Sequence, residues 1–306
     1  MSEQIEATAP ATRPIGPPPG SPARLPIRKT YKLFIGGAFP RSESGRTYPV
    51  TSADGDFLAN AALASRKDLR EAVLRARAAQ AGWAGATGYL RGQILYRVAE
   101  LMEGRAAQFA AELHQGGVDD PAGEVSAAID RWVWYAGWAD KISQVHGTTN
   151  AVSGPYLTLS NPEPTGVVGV LAPPESALLG LVSVLAPAIV TGNTVVVLAA
   201  PDRPLPAITL AEVLATSDVP AGVVNILTGD PTELAPWLAS HLDVNALDLT
   251  GARDPDLATR WEADAAVNLK RVIRPGQADA AWTDEPGLEP MTRLLETKTI
   301  WHPKGW

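Results

Sequence analysis

Five short apolar, β-branched runs stand between residues 167 and 273, each separated from the next by a segment of helix length. The runs are 167–171, 194–198, 223–227, 246–249 and 269–273, and the helical segments read as 178–190, 204–215, 232–240 and 254–266. Strands covered on both faces lose the in–out alternation of a half-exposed sheet. Strand–helix alternation at this spacing therefore points to a parallel, doubly wound α/β sheet. Pro204 suits the first position of its helix, where a backbone N–H would have no partner.

Upstream, the pattern begins with strands and continues as helices. Leu33, Phe34 and Ile35 before Gly36-Gly37 read as a short strand and a turn. Ser65 and Asp68 form a capping box ahead of Leu69, Ala72, Val73 and Ala76. A second helix presents Ile94, Leu95, Val98, Leu101 and Met102 on one face. A third, over 121–142, presents Ile129, Val133, Trp134 and Trp138, with Asp119-Asp120 as its capping pair and the tryptophans as packing residues. Over 146–164, Tyr156, Thr158 and Ser160 alternate with Leu157 and Leu159, the period of a strand exposed on one side, in a hairpin leaving the body. The first 28 residues hold seven of the 27 prolines and almost no large apolar side chain. A tail with so little to bury is expected to be disordered over 1–29; its other use would be as a polyproline ligand.

Composition narrows the chemistry. At 306 residues the chain has room for two lobes, and 45% hydrophobic against 19% charged residues is a globular balance. A net charge of −7 argues against nucleic acid as a partner, and no apolar run approaches a membrane span. The tail lacks an apolar signal region, so a cytoplasmic protein is expected. There are 0 cysteines, which removes disulfides, thiolate metal sites and any cysteine nucleophile. The histidines at 114, 146, 241 and 302 have no metal-ligand spacing, and no G-x-S-x-G elbow is present. None of the strand-end turns reads G-x-G-x-x-G or G-x-x-x-x-G-K.

Particular segments nevertheless resemble the aldehyde dehydrogenase superfamily. LFIGGAF at 33–39 and SGRTYPV at 44–50 look like its opening strands, and YAGWADK at 135–141 like the end of its long helix. EPTGVVGVLAP at 163–173, APAIVTGNTVVV at 186–197, VPAGVVNILTG at 219–229, LDLTG at 247–251 and NLKRV at 268–272 follow in the family's order. ETKTIWHP at 296–303 is similar to its C-terminal strand. The resemblance implies a Rossmann domain over 30–145 and 165–276, a linker at 277–290, and an oligomerisation hairpin and tail strand at 146–164 and 291–306. In the family such strands pair across subunits.

The departures fall on the positions the resemblance marks as functional. Where active members carry Pro-Trp-Asn, with the asparagine as oxyanion donor, this chain has Pro173-Pro174-Glu175. The cofactor-gripping Lys-Pro-x-Glu becomes Leu198-Ala199-Ala200-Pro201, and Gly-x-Gly becomes Gly229-Asp230-Pro231. Thr-Gly-Ser becomes Thr250-Gly251-Ala252, and Pro275 stands where the glutamate base belongs. The domain that carries the nucleophile has no counterpart in these residues. Pro173, Leu198, Gly229, Thr250 and Gly251 are thus vestigial cofactor positions, and Glu175 and Pro275 degenerate catalytic ones. The expectation is no cofactor or weak NAD(P) binding. The chain looks most like the non-catalytic second half of family 16 aldehyde dehydrogenases, pairing with a full-length aldehyde dehydrogenase subunit or with itself. The alternative is an NAD(P)-dependent aldehyde oxidoreductase or an NAD(H)-binding sensor with a reorganised site.

Overall fold

The chain opens on a small sheet in which β1 (Thr30–Tyr31) lies parallel to β3 (Phe57–Ala62), and β3 takes β2 (Thr47–Thr51) antiparallel on its other side. The computed structural model describes residues 27–275 and 282–304, so the tail expectation for 1–26 and the linker expectation for 277–281 lie outside the described residues. The expected strand at 33–35 is reduced to two bridges, Phe34 to Ile226 and Ile35 to Ala38. The capping box forms as the spacing predicts. Ser65 accepts from the Lys67 and Asp68 amides, and Asp68 accepts from the Ser65 and Glu43 amides and the Ser42 hydroxyl. It starts α1 (Arg66–Gly85), whose buried face is Leu69, Ala72, Val73, Ala76 and Trp83 together with Asp68.

Helices α2 (Gly88–Glu103), α3 (Ala106–Gln115) and α4 (Pro121–Trp138) follow, then a short α5 (Ile142–His146). The expected face of α2 is buried except for Leu101, which is half-buried. For α4 the expectation needs correcting. Val133 is exposed and Trp134 and Trp138 are half-buried, while Val125, Ala128, Ile129, Trp132 and Tyr135 point inward. The helix is wedged between α2, α3 and α6 (Leu179–Val190), so neighbours on several sides decide its buried stripe. It also ends at Trp138, short of the expected 142. Asp120 caps it, accepting from the Gly123 amide at 2.9 Å.

After the hairpin strands β4 (Thr148–Asn150) and β5 (Tyr156–Pro164) comes the parallel core. Its strands are β6 (Val167–Leu171), β7 (Thr194–Leu198), β8 (Val224–Leu227), β9 (Ala246–Asp248) and β10 (Arg271–Ile273), in the order β10-β9-β6-β7-β8 and all parallel. Helices α7 (Leu205–Leu214), α8 (Pro231–Ser240) and α9 (Pro255–Ala265) complete the alternation. One face of the sheet is covered by α1, α8 and α9, the other by α6 and α7 with α2 to α4 as an outer layer. Every residue of β6, β7 and α6 is buried, as a helix apolar all round requires. The fifth strand starts two residues later than expected, because Leu269 takes a positive φ of 57° at the end of a 3-10 turn and stands exposed.

Residues 282–290 of the expected linker are packed rather than free. Trp282 and Leu288 lie against the core, and the buried Arg131 guanidinium donates to the Trp282 and Asp284 carbonyls at 2.6 and 2.9 Å. A short α10 (Glu289–Thr292) then drives Met291 and Leu294 into the main core beside α6. That placement launches β11 (Leu295–Pro303) along β5 in antiparallel register, from Leu295 opposite Pro164 to Pro303 opposite Tyr156. Within the chain β11 and β5 pair with each other, and β4 completes a three-stranded sheet. The cause is local: the Leu294 carbonyl accepts from the Thr165 amide at 3.2 Å and the Asn193 side chain at 3.0 Å, which fixes the start of the strand.

Candidate functional site

In an open parallel sheet the ligand crevice lies beyond the carboxyl ends of the strands, where the strand order reverses. Here the chain runs outward from β6 through β7 to β8, then returns to place β9 on the other side of β6. The reversal is between β6 and β9. All seven marked residues sit along this carboxyl edge: Pro173 and Glu175 after β6, Leu198 ending β7, Gly229 after β8, Thr250 and Gly251 after β9, and Pro275 after β10.

Their side chains do not converge on a cavity. Pro173, Leu198 and Gly229 are buried, and Glu175 points to solvent. At the reversal point the two loops touch: the Gly251 amide donates to the Leu171 carbonyl at 3.1 Å, and a Cβ at Gly251 would overlap the Ala172 carbonyl. The Thr250 hydroxyl is committed to the Asp248 carboxylate at 2.5 Å, and its amide to the same oxygen at 2.9 Å. Above the end of β6, Arg253 and Asp202 form an exposed ion pair at 2.8 Å, reaching from the β9 loop to the β7 loop. Burial pushes the Asp248 carboxyl above its ordinary range, and the Thr250 bonds oppose that shift.

Helix N-termini are the fold's natural anion sites, because their first amides point outward unpaired. Three of those at this edge are filled by the chain's own carboxylates. Glu124, reaching across from α4, accepts from the Ser176 hydroxyl at 2.8 Å and from the Leu178 and Leu179 amides at 3.1 and 3.2 Å, and so closes the start of α6. Asp230 caps α8, accepting from the Thr232 amide and hydroxyl, each at 2.8 Å. Asp254 caps α9 through the Asp256 and Leu257 amides. Asp230, which stands inside the altered Gly-x-Gly, thus places a negative charge at a helix start. Asp254 has the same sequence signal, since Asp-Pro at 120–121, 230–231 and 254–255 is one recurring pattern, an N-cap followed by proline at the first helical position. Glu124 had no comparable signal, since its partners lie over 50 positions away in sequence.

A cleft and a smaller cavity open on the edge among the described residues. A cleft of about 380 Å³ lies over β7 and β8 against β2, lined by Tyr48, Thr51, Leu63, Pro201, Asp202 and Asp230 among others. Its two charged walls are carboxylates. The Tyr48 phenol donates to the Pro201 carbonyl at 3.3 Å, and burial together with Asp202 holds it protonated well past neutrality. A smaller cavity of about 80 Å³ lies between α6 and the ends of β9 and β10, beside Asp248 and Arg293. Among the described residues no group of His, Asp and Glu side chains could hold a metal ion, and no helix is long and apolar enough to cross a membrane.

The Aldehyde dehydrogenase family model matches residues 39–274. Retinal dehydrogenase 2 of Homo sapiens is 34% identical over 262 residues, covering 83% of this chain and 50% of that protein. The Cytosolic 10-formyltetrahydrofolate dehydrogenase of Mus musculus is 34% identical over 239 residues, 76% of this chain and 26% of that protein. Among solved structures, an NAD+ complex of aldehyde dehydrogenase from Bacillus cereus superposes with a TM-score of 0.75 at 28% identity, over 80% of this chain and 50% of that one. The chain spans about half the length of the first curated relatives it matches.

Proposed function

The chain belongs to the aldehyde dehydrogenase family, and we propose that within it this protein is a non-catalytic subunit, a structural or regulatory partner of a full-length aldehyde dehydrogenase. The reading follows the resemblance to the non-catalytic half of family 16 members. The observation that carries it is the carboxyl edge of the sheet. There Glu124, Asp230 and Asp254 occupy the helix starts that would receive phosphate, and Gly251 packs against the β6 loop. A carboxylate at each helix start disfavours a second anion. The chemistry agrees: these 306 residues contain no thiol, Glu175 would repel a developing oxyanion, and Pro275 cannot take a proton.

The competing reading, an NAD(H)-binding sensor, draws on the cleft of about 380 Å³ over β7 and β8. Its walls carry Asp202 and Asp230, the wrong charge for a pyrophosphate. Two measurements test the proposal. Affinity purification from native extract should bring down an aldehyde dehydrogenase chain that carries its own cysteine nucleophile. The isolated protein should form no NADH with aldehydes, and activity that survives repurification would overturn the proposal.

A further inference from the structure

One buried carboxylate is only half used by the fold. Asp248, at the end of β9, is 4% exposed, and its Oδ1 takes both bonds that Thr250 offers. Its Oδ2 accepts no hydrogen bond from the described residues. A buried carboxylate pays for desolvation through every bond it fails to make. The side chain lines the cavity of about 80 Å³ between α6 and the ends of β9 and β10. The other charge on this cavity is Arg293, which follows α10 and is exposed on its outer side. Its Nε and Nη2 donate to Glu289, and its Nη1 donates to none of the described residues. The guanidinium acts on the Asp248 carboxyl through space, yet no ion pair joins the two among the described residues. The remaining walls are apolar or already bonded. Val184, Pro187, Ile273, Pro290 and Leu294 bring no polar side chain, and the Ser183 hydroxyl is held between Arg131 and the Leu179 carbonyl at 2.8 and 2.7 Å.

Two opposite charges with unspent bonding capacity, in one cavity but not in contact, select their ligand. A lone cation would meet the Arg293 charge, and a lone anion the Asp248 charge. A ligand of no net charge that carries one charge at each end satisfies both. The geometry points to a binding site for a small zwitterion, an α-amino acid of the size of glycine or alanine, with its ammonium on Asp248 Oδ2 and its carboxylate on Arg293. At about 10–15 Å³ for each water-sized group, the cavity admits about five to eight non-hydrogen atoms, which includes glycine and alanine and excludes leucine. The apolar walls keep the local dielectric low, so both charged contacts are stronger there than in water. Burial raises the Asp248 carboxyl above its ordinary range, and an ammonium beside Oδ2 would oppose that shift. This inference does not depend on the partner reading above.

Calorimetry of the full chain with glycine and with alanine tests it. Each should bind saturably at one site. Methylamine and acetate, which present one charged end apiece, should bind at least tenfold more weakly, as should acetamide, which presents neither; leucine should give no heat. Asp248→Asn keeps an acceptor for Thr250 and should weaken glycine at least tenfold. Arg293→Gln, a change to an exposed side chain, should do the same with a near-parental melting curve. No heat from glycine or alanine at millimolar concentration would overturn the inference. Undiminished binding by Arg293→Gln would place the ligand elsewhere and overturn it too. So would acetate, methylamine or acetamide binding as tightly as glycine, since recognition would then not need both charges.

Discussion

Glu112 is buried between β1, α3 and α7, where its Oε1 accepts from the Tyr31 phenol and the Thr209 hydroxyl, each at 2.8 Å, while Oε2 has no partner among the described residues. Burial raises its carboxyl above the ordinary range, a shift those two bonds and Lys29 only partly oppose. A folded-state pKa above the unfolded one means that the folded form binds the proton more tightly. The associated stability is full at pH below the unfolded value and is lost as pH rises through the folded one. Glu112→Gln keeps an acceptor for both bonds and cannot ionise. Urea unfolding should therefore show the variant gaining on the parent as pH rises from 4 to 8, and a constant gap would contradict the assignment. Glu124 presents the opposite case, a carboxylate satisfying three donors at the start of α6. Glu124→Ala leaves those donors unpaired and should cost about 1–3 kcal/mol in urea unfolding. Glu124→Gln, which retains an acceptor, should cost clearly less.

At the scale of elements, α4 and β11 show how neighbours override local pattern. Trp132 is fully buried and Val133 is 40% exposed, though periodicity alone pointed to Val133. Trp132→Ala should therefore lower stability by about 3–5 kcal/mol, and Val133→Ala should stay within about 0.5 kcal/mol, both read from denaturant midpoints. The tail divides sharply between Leu294 and Glu296. Met291 and Leu294 are core residues, whereas 296–303 carry mostly exposed side chains on a strand held by β5. Removing 296–306 should leave the parallel core intact by circular dichroism, with a near-parental melting curve. Removing 291–306 should destabilise it severely. Under the proposed function the shorter deletion is also the informative one, because it should weaken recovery of the partner without unfolding the chain.

For the whole molecule, the proposed function joins the filled helix starts at the carboxyl edge to Leu198, Pro201, Pro231 and Ala252, which by the resemblance stand where active members would make cofactor contacts. A few hydrogen bonds at roughly 1 kcal/mol each amount to orders of magnitude in affinity. Calorimetry of the purified chain with NAD should detect no binding in the micromolar range. A micromolar isotherm would favour the sensor reading.

The parallel sheet was legible from residue order alone, because strands buried on both faces must be apolar throughout and the connecting helices must intervene. The same holds for the Ser65–Asp68 box and the Asp120 cap, where the bonding partners lie within three residues. That the marked positions lie at strand ends was legible for a different reason: the motifs around them fix where each strand stops. What sequence left open depends on groups far apart along the chain. The buried stripe of α4 follows from helices packed on several sides, and the role of Glu124 from an α6 start over 50 residues away. The pairing of β11 with β5 follows from Met291 and Leu294 entering the core first. Short-range hydrogen bonding and hydrophobic period act on neighbours in sequence, so they can be read there; close packing acts between neighbours in space, and only the folded chain decides which those are.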